Sequence, residues 1–137
     1  MAGPIAELSI LLRSLKLVLH DGVVAFCTVE DSRELAPLNA IATFHEVEQL
    51  TVVVAEGSAV AHGLTPIFRA AWITLTVPSD LNAVGLTAAV STALAKAGIS
   101  CNVIAAVHHD QVFVQVDRAD EAMRVLRELS VHERSVV

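Results

Sequence analysis

Trp72-Ile73-Thr74-Leu75-Thr76-Val77 alternates along its length and is rich in β-branched and aromatic residues, so it predicts a strand. Pro78 cannot donate to a sheet ladder and ends it. Leu81-Asn82-Ala83-Val84-Gly85-Leu86-Thr87 then hands the chain to a helix, with Asn82 read as its N-cap. Leu86, Val90, Ala93, Leu94 and Ala97 recur at helical spacing, and Gly98 supplies the stop. Ser100 to Ala106 is a second apolar strand, His108-His109-Asp110 a turn, and Val112-Phe113-Val114-Gln115-Val116 a third strand. Asp117 is positioned to cap a last helix over Arg118 to Leu129, with Asp120 in its first turn.

Strand, helix, strand, strand, helix is the order of a ferredoxin-like α+β sandwich short of its final strand. Upstream, Leu8, Leu11, Leu12 and Leu15 mark an amphipathic helix over Pro4 to Ser14. Leu17-Val18-Leu19 and Val23 to Val29 read as strands on either side of a His20-Asp21-Gly22 turn. Glu30 to Asn39, broken by Pro37, reads as loop. Ala42 to Glu48 is expected to hold a helical turn, Leu50 to Ala55 a strand, and Glu56 to Gly63 a short helix. Val131 to Val137 is expected to add an edge strand. Thr65-Pro66 is the expected boundary, giving units 1–66 and 67–137.

Composition narrows the function classes. The 137 residues are 54% hydrophobic and 18% charged, with a net charge of −6. That suffices for a buried core and leaves apolar surface for a subunit interface. No basic patch exists to neutralise phosphates, which argues against a nucleic-acid partner. Glu7, Arg13 and Lys16 interrupt the N-terminal apolar residues, and no long uncharged apolar run predicts a membrane span. Cys27 and Cys101, far apart, read as reduced small hydrophobes in a cytoplasmic protein. Neither a GxSxG elbow nor a phosphate-binding loop is present, and the histidines do not fall at metal-ligand spacing. His108 and His109 are adjacent at a strand end and point apart, which disfavours one shared ion. No catalytic residue, metal or cofactor is expected.

Ile73-Thr74-Leu75-Thr76-Val77, Ala83-Val84-Gly85-Leu86-Thr87-Ala88-Ala89-Val90 and Gly98-Ile99-Ser100-Cys101-Asn102-Val103-Ile104-Ala105 together resemble an ACT domain. The sequence is similar to small stand-alone bacterial proteins with two ACT-like units, and, more distantly, to the aspartate kinase regulatory region. The match is strong over Arg69 to Leu129, with weaker echoes in Phe26-Cys27-Thr28, Phe44-His45-Glu46 and Leu50-Thr51-Val52-Val53. Family members usually carry an aromatic where His108 stands and a histidine where Gln111 stands. The resemblance implies two ferredoxin-like βαββαβ units side by side, with Leu17 to Leu19 completing the sheet of the later unit. It further implies a regulatory homodimer that binds an amino-acid effector without catalysing a reaction.

On that resemblance, the effector site falls on Ser79, Asp80, Asn82, Ala83, Val84, Gly85, Leu86, Thr87, Ser100, Asn102, Val103 and Ile104. The chemistry is consistent with it. A helix start offers unpaired N–H groups to a carboxylate, Gly85 leaves the backbone bare, and Asp80 suits an ammonium group. The alternative is an oligomerisation or partner-docking module without a small ligand. It predicts an occluded Gly85 and an exposed apolar face.

Overall fold

The computed structural model describes residues 8–76, 81–82 and 84–135. The chain divides into two compact units. One comprises residues 21–71, the other residues 1–20 together with 72–137.

In the 21–71 unit, β2 (Val24–Val29) pairs antiparallel with β4 (Leu50–Ala55), Cys27 opposite Val52. β3 (Ala42–His45) pairs with the other side of β4. The opening residues of β5 (Phe68–Thr76) pair with β2, Phe26 opposite Phe68. Alternation sends Ala25, Cys27 and Val29 of β2 and Val52 and Val54 of β4 to one face. There they meet Leu38 and Ala59 in a buried cluster. Ala59 belongs to α2 (Glu56–Ala61), whose first residue forms a salt bridge with Arg69.

The first helix of this unit is reduced to two 3-10 turns, Ser32–Glu34 and Ala36–Leu38. Asp31 accepts the Arg33 N–H at 2.8 Å, Pro37 breaks the ladder, and Asn39 turns left-handed at φ 51°. Ala42 to His45, expected as a helical turn, is a strand. Thr43 and Phe44 suit a pleated surface, and the Glu46 N–H to Gln49 carbonyl bond (3.1 Å) closes a hairpin onto β4.

In the other unit the chain's first strand, β1 (Lys16–Leu19), pairs antiparallel with the later part of β5, Leu17 opposite Leu75 and Leu19 opposite Ile73. On the far side of β5 lie β7 (Asp110–Gln115) and then β6 (Asn102–Ala105), giving the order β1-β5-β7-β6. This is the ferredoxin-like order, with the missing last strand supplied from the chain's start. Ile73 and Leu75 of β5 and Val112 and Val114 of β7 are fully buried on one face. Buried stripes cover that face from α1 (Leu8–Arg13), α3 (Leu86–Lys96) and α4 (Ala119–Ser135). They consist of Leu11 and Leu12, then Leu86, Val90 and Leu94, then Ala122, Met123 and Leu126.

Three helix ends depart from the sequence reading. α3 begins after Gly85, at φ +102°, and Asn82 lies in the turn before it. A glycine with positive φ turns the chain sharply into the helix, where an asparagine cap three residues earlier would have needed another turn. α4 is preceded by a 3-10 turn over Val116–Arg118 instead of an Asp117 cap. Arg118 tethers it, donating to the Ala97 and Gly98 carbonyls at 2.9 and 3.3 Å and pairing with Glu121 at 2.8 Å. Finally, α4 runs on to Ser135 across the residues expected as an edge strand. That stretch holds no Gly or Pro, and Glu133 and Arg134 are good helix formers.

Candidate functional site

The unit of residues 72–137 gathers its chemistry at one end of its sheet. Trp72 stacks on Phe113 (ring centroids 6.3 Å apart) while Thr74 bonds to Gln111, so β5 rises as β7 falls. The end of β5, the start of α3, the end of β6 and the turn before β7 therefore share one edge of the unit. Leu81, Asn82 and Val84 lie just ahead of the helix at that end.

At the helix start, the Ala89 N–H reaches the Gly85 carbonyl at 2.9 Å, which leaves the amides of Leu86, Thr87 and Ala88 ahead of the helical ladder. They carry the positive end of the helix dipole. Gly85 is approached by α1. A Cβ placed on it would lie 3.1 Å from Leu8 Cδ2. A side chain at φ +102° is also strained by about 1–2 kcal/mol. Gly85→Ala is therefore expected to lower unfolding free energy by about 1–2 kcal/mol in urea, with an unchanged m-value. A change below about 0.5 kcal/mol, the size of an ordinary surface substitution, would contradict this account of the turn.

The other expected site residues are dispersed. Asn82, Val84 and Thr87 are exposed at the helix start, and Leu86 is buried beneath it. Ser79, Asp80 and Ala83 lie outside the described residues. The Ser100 N–H donates to Gln115 Oε1 at 2.8 Å, near the other end of α3. Asn102 opens β6 opposite Phe113, on the sheet face away from the helices, and Ile104 shares that face. Val103 faces the helices instead. Asn102 is thus not brought to the start of α3.

A residue read from sequence as part of a polar turn stands at that end. Asp110 is the first residue of β7 and lies on the helix-facing side with Val112 and Val114. It is only 7% exposed. Its electrostatic neighbour is His109, the residue before it. Burial pushes the group above the usual carboxylate range, and the neighbouring His109 draws it partly back. His109 Nδ1 is buried without a partner. The signal was present in the sequence: Asp110 begins an alternation whose next members are Val112 and Val114.

Gln111 points the other way, and its amide oxygen is engaged. Its Oε1 accepts from Trp72 Nε1 at 2.7 Å and Thr74 Oγ1 at 2.8 Å. The Thr74 hydrogen is then committed, so His20 Nε2 must donate to Thr74 Oγ1 across 2.7 Å. His20 also stacks on Trp72 at 3.6 Å. This network fastens β1, β5 and β7 together and occupies the Gln111 amide oxygen, while its Nε2 makes a long contact, 3.5 Å, to the His109 carbonyl. The His108 and His109 rings lie 6.4 Å apart, tilted by 54°. Among the described residues no three His, Cys, Asp or Glu side chains converge as metal ligands. Cys27 and Cys101 are free thiols, and burial raises both away from the reactive thiolate.

Two family models match in tandem, both described as ACT domain, over residues 4–71 and 68–128. A Vibrio cholerae protein of unknown function, given as a possible transport protein, is 44% identical, with a TM-score of 0.82 over 90% of this chain and 95% of that one. The chain belongs to the ACT-domain family. Its fold is shared by an Agrobacterium tumefaciens protein, 16% identical, at a TM-score of 0.65 over 85% of this chain and 89% of that one. The ligand-free regulatory subunit of Thermus thermophilus aspartate kinase, 10% identical, matches at 0.57 over 85% and 98%. No curated protein matches the chain. ACT domains are typically regulatory, amino-acid-sensing modules. No helix among the described residues is long and apolar enough to cross a membrane.

Proposed function

We propose that this ACT protein is a cytoplasmic homodimer that senses a free amino acid and has no catalysis of its own. The ligand would lie at the end of the 72–137 unit where α3 begins. Its carboxylate would meet the amides of Leu86, Thr87 and Ala88, and its ammonium group Asp110. The loop residues Ser79, Asp80, Asn82, Ala83, Val84 and Gly85 would close around it, with Val103 and Ile104 at the adjoining strand end. Ser100 and Asn102 are the weakest members of the expected set, since they sit towards the other end of β6.

Asp110 carries this reading. A largely buried carboxylate with only His109 beside it is costly, and a cationic group that arrives with the ligand lowers the cost. Leu8 over Gly85 gives binding something to move. A ligand that seats at the helix start and displaces α1 binds the two arrangements with different affinities, which is the condition for a regulatory response. The same contact favours the docking-module alternative, in which Leu8 permanently fills the place of a ligand.

A thermal-shift screen against the twenty amino acids separates the two. A ligand at 100 times its Kd stabilises the folded chain by about 2.7 kcal/mol. We expect a raised midpoint with one amino acid and none with its deaminated acid. No shift with any amino acid would overturn the sensor reading in favour of docking.

A further inference from the structure

Three of the chain's four phenylalanines fall on one face of the sheet in the 21–71 unit. The strand register places them there. Phe26 of β2 stands opposite Phe68 of β5 on one side and Val53 of β4 on the other. Phe44 of β3 stands opposite Thr51, two residues from Val53. Residues directly opposite share a face, and neighbours along a strand alternate. The buried cluster of Ala25, Cys27, Val52 and Val54, with Leu38 and Ala59 over it, occupies the other face. Phe44 is 71% exposed, while Phe26 and Phe68 are partly exposed, with their rings edge to face at 5.7 Å. Single apolar residues on a surface are ordinary, but a contiguous aromatic row marks a binding surface.

The same alternation carries this face on to Glu30, just after β2, and Glu46, just after β3. Their partners agree. Glu30 accepts from the Gln49 amide at 2.6 Å, and Glu46 accepts from the Thr51 hydroxyl. Both donors are neutral, so both charges stay unbalanced. The two cations of the unit are engaged elsewhere, Arg33 with Asp31 and Arg69 with Glu56. With seven Asp and Glu against two Arg, residues 21–71 hold −5 of the chain's −6.

We infer that this face docks a basic amphipathic helix of a partner protein. The occupant follows from charge. Nucleic acid and an anionic bilayer carry the wrong sign, and a second copy would set one acidic face against another. An apolar stripe with Lys or Arg beside it is complementary to the aromatic row and to Glu30 and Glu46. Dimensions select a helix. The strands neighbour one another in the order β3, β4, β2, β5, so the row from Phe44 to Phe68 crosses three strand spacings, about 14 Å. Helix anchors at i, i+3, i+4 and i+7 span about 10 Å before their side chains are added. A strand laid flat on this face would leave its own backbone groups unpaired, whereas a helix satisfies them internally.

This surface is independent of the proposed effector site, and its test uses no amino acid. The probe is a labelled synthetic peptide of about 14 residues, two copies of a helical heptad pattern, with leucine at the anchor positions and lysine elsewhere. Its twin carries glutamate in place of lysine. Fluorescence anisotropy with the full chain is expected to show saturable binding of the lysine peptide with a Kd below about 100 μM, and binding of the twin weaker by at least about tenfold. Phe44→Ser and, independently, Glu30→Lys combined with Glu46→Lys are each expected to weaken the lysine peptide at least about tenfold. Val60→Ser, at a 70% exposed residue of α2, is expected to leave its affinity unchanged. Circular dichroism identifies any variant that fails to fold, and either folded face variant alone decides the matter.

No saturable binding of the lysine peptide at about 100 μM overturns the inference, as does equal affinity for the two peptides. Unchanged affinity in a folded face variant overturns it, and so does a loss in Val60→Ser as large as that in Phe44→Ser. Sedimentation of the chain alone checks the remaining occupant. A dimer that dissociates in Phe44→Ser would put a second copy on this face and overturn the inference too.

Discussion

A chain that begins at Asp21 is expected to lose the folded 72–137 unit. The first twenty residues are not an appendage to the first ACT unit but part of the second. β1 gives β5 a partner along Ile73 to Thr76, α1 buries Leu11 completely and Leu12 nearly so, and Leu15, between α1 and β1, is nearly buried too. Cutting a single buried leucine to alanine costs about 2–5 kcal/mol. Three such losses, with an exposed β5 edge added, match or exceed the whole stability of a typical domain, about 5–15 kcal/mol. The only tryptophan reports the event, because Trp72 stacks on His20 at 3.6 Å and donates to Gln111. The shortened chain is expected to show the fluorescence of an unfolded tryptophan. Leu11→Ala in the full chain is expected to unfold cooperatively with a stability lowered by about 2–5 kcal/mol. Native Trp72 fluorescence in the shortened chain would refute the strand exchange.

Asp110→Asn is expected to make the ligand-free protein more stable while removing its response to ligand. Burial raises the carboxyl above its ordinary range, so the folded state holds this proton more firmly than the unfolded chain does. For a raised carboxylate the penalty is absent at low pH. It enters as pH climbs past the unfolded value, about 3.9, and is complete above the folded value. At neutral pH, neutralising the side chain is expected to recover about 1–3 kcal/mol, the cost of an unsatisfied buried polar group. The gain over wild type should shrink as pH falls towards the unfolded value. Asp31 and Glu56 work in the opposite sense, since Arg33 and Arg69 lower them, and both are unchanged in the variant. Urea titrations at several pH values measure the difference. A variant less stable than wild type at pH 7 would mean that Asp110 has a partner in the folded chain. Stability gained at the expense of binding is the usual mark of a functional group held in an unfavourable place.

The fold was legible wherever one physical signal dominated. The alternation that starts at Trp72 stands in the structure as far as Thr76, beyond which Val77 lies outside the described residues, and the helical spacing from Leu86 and the stop at Gly98 stand too, since each depends on near neighbours. The strand Leu17 to Leu19 was placed correctly only through the family resemblance. Ala42 to His45 was misread because its form is decided by pairing with β4, which no local pattern announces. Val131 to Ser135 was misread because a β-branched end resembles a strand until α4 runs through it without a breaker.

The site was less legible, for a related reason. Gly85 was recognised as essential to a close approach, but the approaching group is Leu8, 77 residues earlier in the chain. His108-His109-Asp110 has the composition of a solvated turn. Only the register of β7, which sends Asp110 to the side of Val112 and Val114, shows that its carboxylate is buried.

The most direct test of the sensor account is calorimetric titration of wild type and Asp110→Asn with the amino acid that raises the wild-type midpoint. The account predicts saturable binding to wild type, and an affinity weakened by at least about a hundredfold in the variant, the usual scale for truncating one member of a buried charge pair. Equal affinity in a folded Asp110→Asn would contradict it and would place the ammonium group elsewhere.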